Sequence, residues 1–381
     1  MTKTKKILIV EPAANVEIGH MREKLEVIVD SAARAGFKIH VVTWEPLAHD
    51  LKSKDIGFEY VSPLVRSFSS LIPSRYRVRF LEFCTYLKAF RFARSNQLPV
   101  VGMTSCDPWG PLIASLFCKP PFEYLHRMLH PGVSFANGSY RVSSKRVRGY
   151  FALVRSGGKL VLFNGFLKQC CIQLDRNLTE KNIRVIPEMM TCTELFCKNE
   201  TTGIILVSGL DDARRTPLAH LAMLKNHPSI RKVILQHPDP RPPEVFYRDW
   251  PSASLSWEVE RVSRYMTGKD WEDLFSSCTY TLVAYDEHFT QSSGIFLQSI
   301  AFGRPVVSSR FPDSVELFSK YGKLGVLFDY RSPVSLLDAI DEISQWTEND
   351  WQEFYAARRE LVQAVDSDNV FAQYRDLITA L

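Results

Sequence analysis

No apolar run in the 381 residues approaches the ~18–20 needed for a helix to span a bilayer. The N-terminus, MTKTKK followed by ILIV, opens basic, but its apolar stretch is too short for a signal peptide. The expectation is therefore a mature chain that begins near Met1 and stays in the cytoplasm. The eight cysteines (Cys84, Cys106, Cys118, Cys170, Cys171, Cys192, Cys197 and Cys278) form no Cys-x-x-Cys pair. Several stand in apolar contexts such as LFC and FSSC. That suits buried thiols in a reducing compartment and disfavours a disulfide framework or a zinc site.

Motif absences narrow the chemistry. There is no G-x-x-x-x-G-K-[ST]; Ser156-Gly157-Gly158-Lys159 shares only a Gly-Lys and precedes a strand. No G-x-G-x-x-G follows the first strand, where Glu11 to Gly19 reads EPAANVEIG, so a dinucleotide-dependent dehydrogenase is disfavoured. Neither a G-x-S-x-G elbow nor an H-E-x-x-H helix occurs. The one Asp-x-Asp, Asp366-Ser367-Asp368, lies in the tail between two helical stretches and reads as a helix N-cap.

What is present is an ordinary globular composition, 45% hydrophobic and 23% charged, with 18 Gly and 21 Pro, which argues against collagen, a coiled coil or long disorder. The length suggests two domains. Residues 1–200 carry 29 Lys/Arg against 17 Asp/Glu, and the rest carry 18 against 25, so a net +12 faces a net −7. The first half is thus suited to an anionic partner. Short β-branched runs alternate with helical patterns. Strands are expected at Lys6–Val10, Lys38–Trp44, Pro99–Met103, Phe122–His126, Lys159–Phe163 and Ile183–Pro187, with helices at Glu17–Ala35, Phe80–Arg94 and Pro111–Phe117. The pattern restarts with strands at Gly203–Ser208, Lys232–Gln236, Thr279–Tyr285, Arg304–Ser308 and Gly325–Phe328. Met189–Thr202 has neither periodicity and reads as the linker. The expected fold is α/β, two Rossmann-like doubly wound domains facing each other across a cleft. Their expected bounds are 1–190 and 203–345, with 346–381 as helices packing back toward the first domain.

The informative segment is Tyr285 to Tyr330. A strand ends at Tyr285, a polar loop follows, and Gln291-Ser292-Ser293-Gly294 opens an apolar helix that Gly303 ends. Small hydroxylated residues and glycine at a helix start leave backbone N–H groups open with the positive end of the dipole behind them, an anion site suited to phosphate.

The segment resembles the donor half of GT-B glycosyltransferases, especially the large retaining family 4. Ala301-Phe302-Gly303-Arg304-Pro305-Val306-Val307 comes first, then Phe311-Pro312-Asp313-Ser314-Val315-Glu316, then Gly325-Val326-Leu327-Phe328-Asp329. The restart at Gly203, the tail helices and IRVIP before the linker fit the same pattern. The resemblance implies a Glu-x7-Glu loop whose positions fall at Thr290 and Gln298, the second holding the donor ribose, with Glu287 near enough to stand in for the missing carboxylate. It implies a diphosphate clamp at Arg215, beside Arg214, with Leu210 where a second clamp would be. It places Gly19 and His20 beside the leaving phosphate, and His126 near the donor sugar, with His130 as fallback. Ser292, Ser293 and Gly294 would receive the diphosphate. Retention needs no carboxylate base; an inverting enzyme would, and Asp107 or Glu11, each after a strand, would supply it. Base recognition would come from loops such as Tyr265–Gly268. No cofactor and no metal are expected, the nucleotide-sugar being a co-substrate.

On the acceptor side, residues 64–94 interleave Arg66, Arg75, Arg77, Arg79, Lys88, Arg91 and Arg94 with Phe68, Leu71, Ile72, Tyr76, Phe80 and Phe90, and Arg141, Lys145, Arg146 and Arg148 follow. Basic and aromatic residues together suit an anionic membrane surface, so docking to the inner leaflet, toward a glycan or lipid-linked acceptor, is expected. No recognised nucleic-acid motif accompanies the charge. The competing readings are a non-hydrolysing nucleotide-sugar epimerase and an inactive sugar-nucleotide-binding protein.

Overall fold

The computed structural model describes residues 5–12, 21–44, 56–103, 108–120, 124–127, 133–136, 139–142, 145–190, 203–208, 217–236, 255–264, 266 and 268–379. The chain divides into two compact units, Met1–Thr191 with Val365–Leu381, and Cys192–Ala364.

The first unit contains β1 (Lys6–Val10), β2 (Lys38–Thr43), β3 (Ile56–Tyr60), β4 (Val100–Gly102), β5 (Tyr124–Arg127), the hairpin β6 (Val133–Ala136) and β7 (Ser139–Val142), β8 (Lys159–Leu162) and β9 (Ile183–Val185). Seven of these form one parallel sheet in the order β3-β2-β1-β4-β5-β8-β9. Both faces are covered, which is why β1 reads KILIV without a polar break. Ile7 and Ile9 pack with Leu25, Ile28 and Val29 of helix Met21–Arg34 and with Val370, Phe371 and Tyr374 of helix Ser367–Thr379. Leu8 and Val10 point the other way, into Tyr86, Ala89, Phe90 and Ala93 of helix Ser74–Asn96.

The second unit holds β10 (Ile204–Ser208), β11 (Lys232–Gln236), β12 (Glu258–Val262), β13 (Tyr280–Val283), β14 (Val306–Ser309) and β15 (Gly325–Phe328). They form a parallel sheet ordered β12-β11-β10-β13-β14-β15. Counted within the unit this is 3-2-1-4-5-6, the dinucleotide-fold order, and its switch point lies between β10 and β13. Gly325 is forced by close approach: at φ +149 a Cβ there would stand 1.9 Å from the Val306 carbonyl oxygen.

The tail departs from expectation. Helix Glu348–Val365 lies almost wholly in the second unit, and only the chain from Val365 onward belongs to the first. Asp366 separates the two helices and, as its spacing predicts, caps the second: its Oδ2 accepts the amide N–H of Asp368 at 3.0 Å and of Asn369 at 3.4 Å. Arg34 then grips Asp368 through both carboxylate oxygens. The strands β3 and β12 and the hairpin were not foreseen, although Asn137-Gly138 between two β-branched or aromatic runs is a recognisable hairpin signal.

Candidate functional site

At the carboxyl end of β13 the chain turns through 284–293 into helix Gly294–Ala301. The turn is set by its own residues. Asp286 Oδ1 accepts the His288 amide N–H at 2.8 Å, and the Asp286 carbonyl accepts that of Phe289 at 2.9 Å. Tyr285 and Phe289 stack with ring centroids 4.1 Å apart, and both meet the buried Phe311 edge-on. Ser309, at the end of β14, staples this loop to the sheet: its Oγ accepts the Tyr285 N–H at 2.9 Å and donates to the Tyr285 carbonyl at 2.6 Å.

The helix start is built as an amide mouth. Ser293 is its N-cap, and its Oγ accepts the Phe296 N–H at 3.3 Å. Ser292 Oγ donates to Asp313 Oδ2 at 2.9 Å, tying the loop to helix Pro312–Tyr321. Both serine side chains expected at a diphosphate are therefore engaged within the protein. What remains are the N–H groups of Gly294 and Ile295, the first two helical positions, which have no carbonyl one turn back to bond. Among the described residues, a Cβ placed on Gly294 would meet nothing within 4 Å. At the opposite end Arg358 donates to the carbonyls of Ile300 at 3.0 Å and Ala301 at 2.8 Å, and Arg304 is buried, bonding the Phe275 and Ser276 carbonyls. The helix is thus held from behind, with its positive end facing outward.

Thr290 and Gln298 stand differently. Thr290 is buried and presents no carboxylate, whereas Gln298 is half-buried one turn into the helix. Glu287 is on the surface, 2.9 Å from Arg331 and 3.7 Å from His288 Nε2. Across the switch point, Ser208 Oγ donates to Gln236 Oε1 at 2.7 Å, and Gln236 Nε2 donates to the Arg264 carbonyl at 3.4 Å, a polar ladder over the ends of β10, β11 and β12. Sequence reasoning missed Ser208, Gln236, Ser309 and Asp313. A polar residue closing an apolar strand, as in KVILQ and IILVS, was the available signal for the first two.

In the first unit, His126 is corrected from a sugar-facing residue to a core one. It is fully buried in β5, its Nδ1 lies 2.6 Å from Tyr124 Oη, and Tyr86 and Tyr150 enclose its ring. Burial lowers its pKa to about 3, so the ring is neutral at physiological pH. Strand alternation is the reason: with both sheet faces covered, each β5 side chain enters a core, and YLHR is buried throughout. Glu11, at the end of β1, is also fully buried; the Tyr86 hydroxyl beside it is pushed well up, chiefly by its own burial and then by Tyr124 and Glu11. Gly19, His20, Asp107, His130, Leu210, Arg214, Arg215 and Tyr265 lie outside the described residues.

No family model matches the chain. No curated protein matches it either. Solved structures do. HepE of Anabaena, solved with UDP and glucose and with UDP-glucose, is 13% identical, with 99% of this chain and 100% of that one covered and a TM-score of 0.68. A glycosyltransferase from Rickettsia africae is 13% identical over 100% of both chains, with a TM-score of 0.67. Sucrose-phosphate synthase of Thermosynechococcus elongatus is 16% identical, covering 99% and 100%, with a TM-score of 0.69. The chain has the two-domain GT-B fold of these proteins.

Proposed function

We propose that the protein is a glycosyltransferase that moves a sugar from a nucleotide-sugar donor to a glycan or lipid-linked oligosaccharide acceptor, with retention and without a metal ion. The observation that carries this reading is the first-turn amide pair of Gly294 and Ile295, after β13 at the switch point of a 3-2-1-4-5-6 sheet, with no described atom within 4 Å of a Cβ on Gly294. The UDP and UDP-glucose complexes of the HepE neighbour support it from the side of fold.

Breaking a sugar–phosphate bond builds negative charge on the departing diphosphate. Helix N–H groups that are already oriented stabilise that charge without reorganising, and donors of this kind contribute about 3–4 kcal/mol each where measured. Arg215 would add a cation to the same group. Gln298 would take the ribose hydroxyls as hydrogen-bond acceptor, and Glu287 supplies the loop's exposed carboxylate. Ser292 and Ser293 serve by shaping the mouth. The acceptor would be met by the basic first half, at the inner leaflet of an anionic membrane.

A thermal-shift and turnover screen with UDP-, GDP- and TDP-sugars tests the reading. One nucleotide-sugar should raise the melting temperature, with ~2.7 kcal/mol of stabilisation at a hundredfold excess over Kd, and should be hydrolysed or transferred. A new sugar epimer would establish the epimerase instead. Stabilisation without turnover would establish an inactive binding protein, for which the buried Thr290 in a carboxylate position is the favouring observation.

A further inference from the structure

The large hydrophobic side chains that stay exposed among the described residues are not scattered. Of the eleven, eight lie on three helices of the first unit, Pro63–Ser69, Ser74–Asn96 and Trp109–Phe117, or on the turn between the first two. Leu64 and Leu71 are 82% and 78% exposed on the helical hairpin made by Pro63–Ser69 and the start of Ser74–Asn96, and Leu116 and Phe117 are 78% and 68% exposed on helix Trp109–Phe117. The two groups are bridged. Phe68 packs on Phe80 at 5.9 Å and Phe117 on Phe83 at 5.8 Å, and Phe80 and Phe83 are neighbours one turn apart on the long helix. An apolar band therefore runs from the hairpin tip across helix Ser74–Asn96 to Phe117. A contiguous band of this kind marks an interaction surface, whereas isolated exposed hydrophobics do not.

Its charge is of one sign. No Asp or Glu occurs between Tyr60 and Leu81, while Arg66, Arg75, Arg77 and Arg79 do; helix Trp109–Phe117 has no acidic residue and Lys119 follows it. The hairpin is also rigid. Arg77 Nε donates to the Ser69 carbonyl at 3.1 Å and its Nη2 to that of Ser70 at 3.0 Å, which fixes the turn carrying Leu71. Among the described residues no helix is long and apolar enough to cross a membrane, so such a band would lie on a bilayer and not span it.

The geometry points to a two-element membrane-insertion face. The 64–80 hairpin and helix Trp109–Phe117 jointly seat Leu64, Phe68, Leu71, Leu116 and Phe117 in the headgroup boundary of an anionic bilayer, with the arginines on its phosphates. This deepens the acceptor half of the proposed function and rests on that reading only for the acceptor's identity. It differs from simple electrostatic adsorption, because the helix at 109–117 contributes apolar surface with no cation of its own.

Sedimentation of the full chain with phosphatidylcholine vesicles, with and without ~30% phosphatidylglycerol, tests it. Binding is expected to the anionic vesicles and to persist in part at about 0.5 M salt, where exposed charges are screened beyond a few ångströms. The double variants L64S/L71S and L116S/F117S should each reduce partitioning at least about tenfold, since each removes two side chains that would leave water on docking. Being exposed, both pairs should leave the melting temperature unchanged. Absence of binding to anionic vesicles, complete loss in salt with both variants binding like wild type, or an undiminished L116S/F117S would each overturn the proposal. So would a dimer in solution that both variants convert to monomer, which would show a second copy covering the band. Donor thermal shifts run in parallel separate the two readings: vesicle binding lost with donor binding intact removes only this face, and the reverse removes only the transferase assignment.

Discussion

Replacing His126 by Asn should flatten the dependence of stability on pH. In the folded chain Tyr86 and Tyr124 share a buried hydrogen bond, and Tyr124 Oη lies 2.6 Å from His126 Nδ1, so the imidazole ends a buried polar chain. Burial holds its folded pKa at about 3, against 6.5 for an exposed histidine. The unfolded chain therefore takes up a proton below pH 6.5 that the folded chain refuses. Stability contributed by this group is complete above pH 6.5 and falls as pH drops toward 3. At 1.36 kcal/mol for each pH unit in that window, His126 alone removes about 2 kcal/mol between pH 7 and pH 5. Asn keeps a short acceptor near the Nδ1 position but does not titrate. H126N should be less stable at pH 7 by about 1–3 kcal/mol, as expected for altering a buried hydrogen-bonded group. Its loss from pH 7 to pH 5 should nonetheless be about 2 kcal/mol smaller than in wild type. Urea denaturation of both proteins at both pH values yields that double difference, in which the other eight histidines cancel. Equal pH slopes for the two proteins would refute the reasoning.

Two further outcomes follow from the same geometry. Gly294→Val should raise the donor KM by tenfold or more while shifting the melting temperature by no more than a few degrees, because a Cβ there meets nothing within 4 Å among the described residues and the bulk is added at the helix's first position; unchanged donor binding would disprove the mouth. Burial pushes the Cys171 thiol up to about 12 and that of Cys84 to about 11, so iodoacetamide at pH 8 should leave Cys171 unmodified in the native protein and alkylate it in urea, and equal labelling rates by mass spectrometry would contradict its burial.

The central strands were legible, as were the edge strands β9 and β15, whereas the other two edges, β3 and β12, were not, for a physical reason. β1 is enclosed on both faces, so its apolar run is unbroken and recognisable. β3 and β12 end their sheets; β3 is half-buried along its length and β12 reads EVERV, the charged pattern that edge strands use against pairing with other chains. The helix start at Ser293 was legible because capping is local in sequence. The staple from Ser309 to Tyr285 and the ladder from Ser208 to Gln236 join residues 24 and 28 positions apart, and nothing local announces them. His126 shows the same limit from the other side. Its place after a strand read as a site, yet Tyr86, forty positions earlier, and Tyr150 close over it.

The donor reading depends on main chain more than on side chains, which explains how it stands beside a degenerate acidic motif. A pair of helical amides needs a small residue at the first position, a side-chain cap behind it, and a support for the far end of the helix. Gly294, Ser293 and Arg358 meet those needs. Thr290, at the position where the family resemblance implies a Glu, is buried and is none of the three. The carboxylate in this loop, Glu287, is exposed and paired with Arg331. The charge-stabilising device of such a helix is made of main-chain N–H groups and needs neither Thr290 nor Glu287.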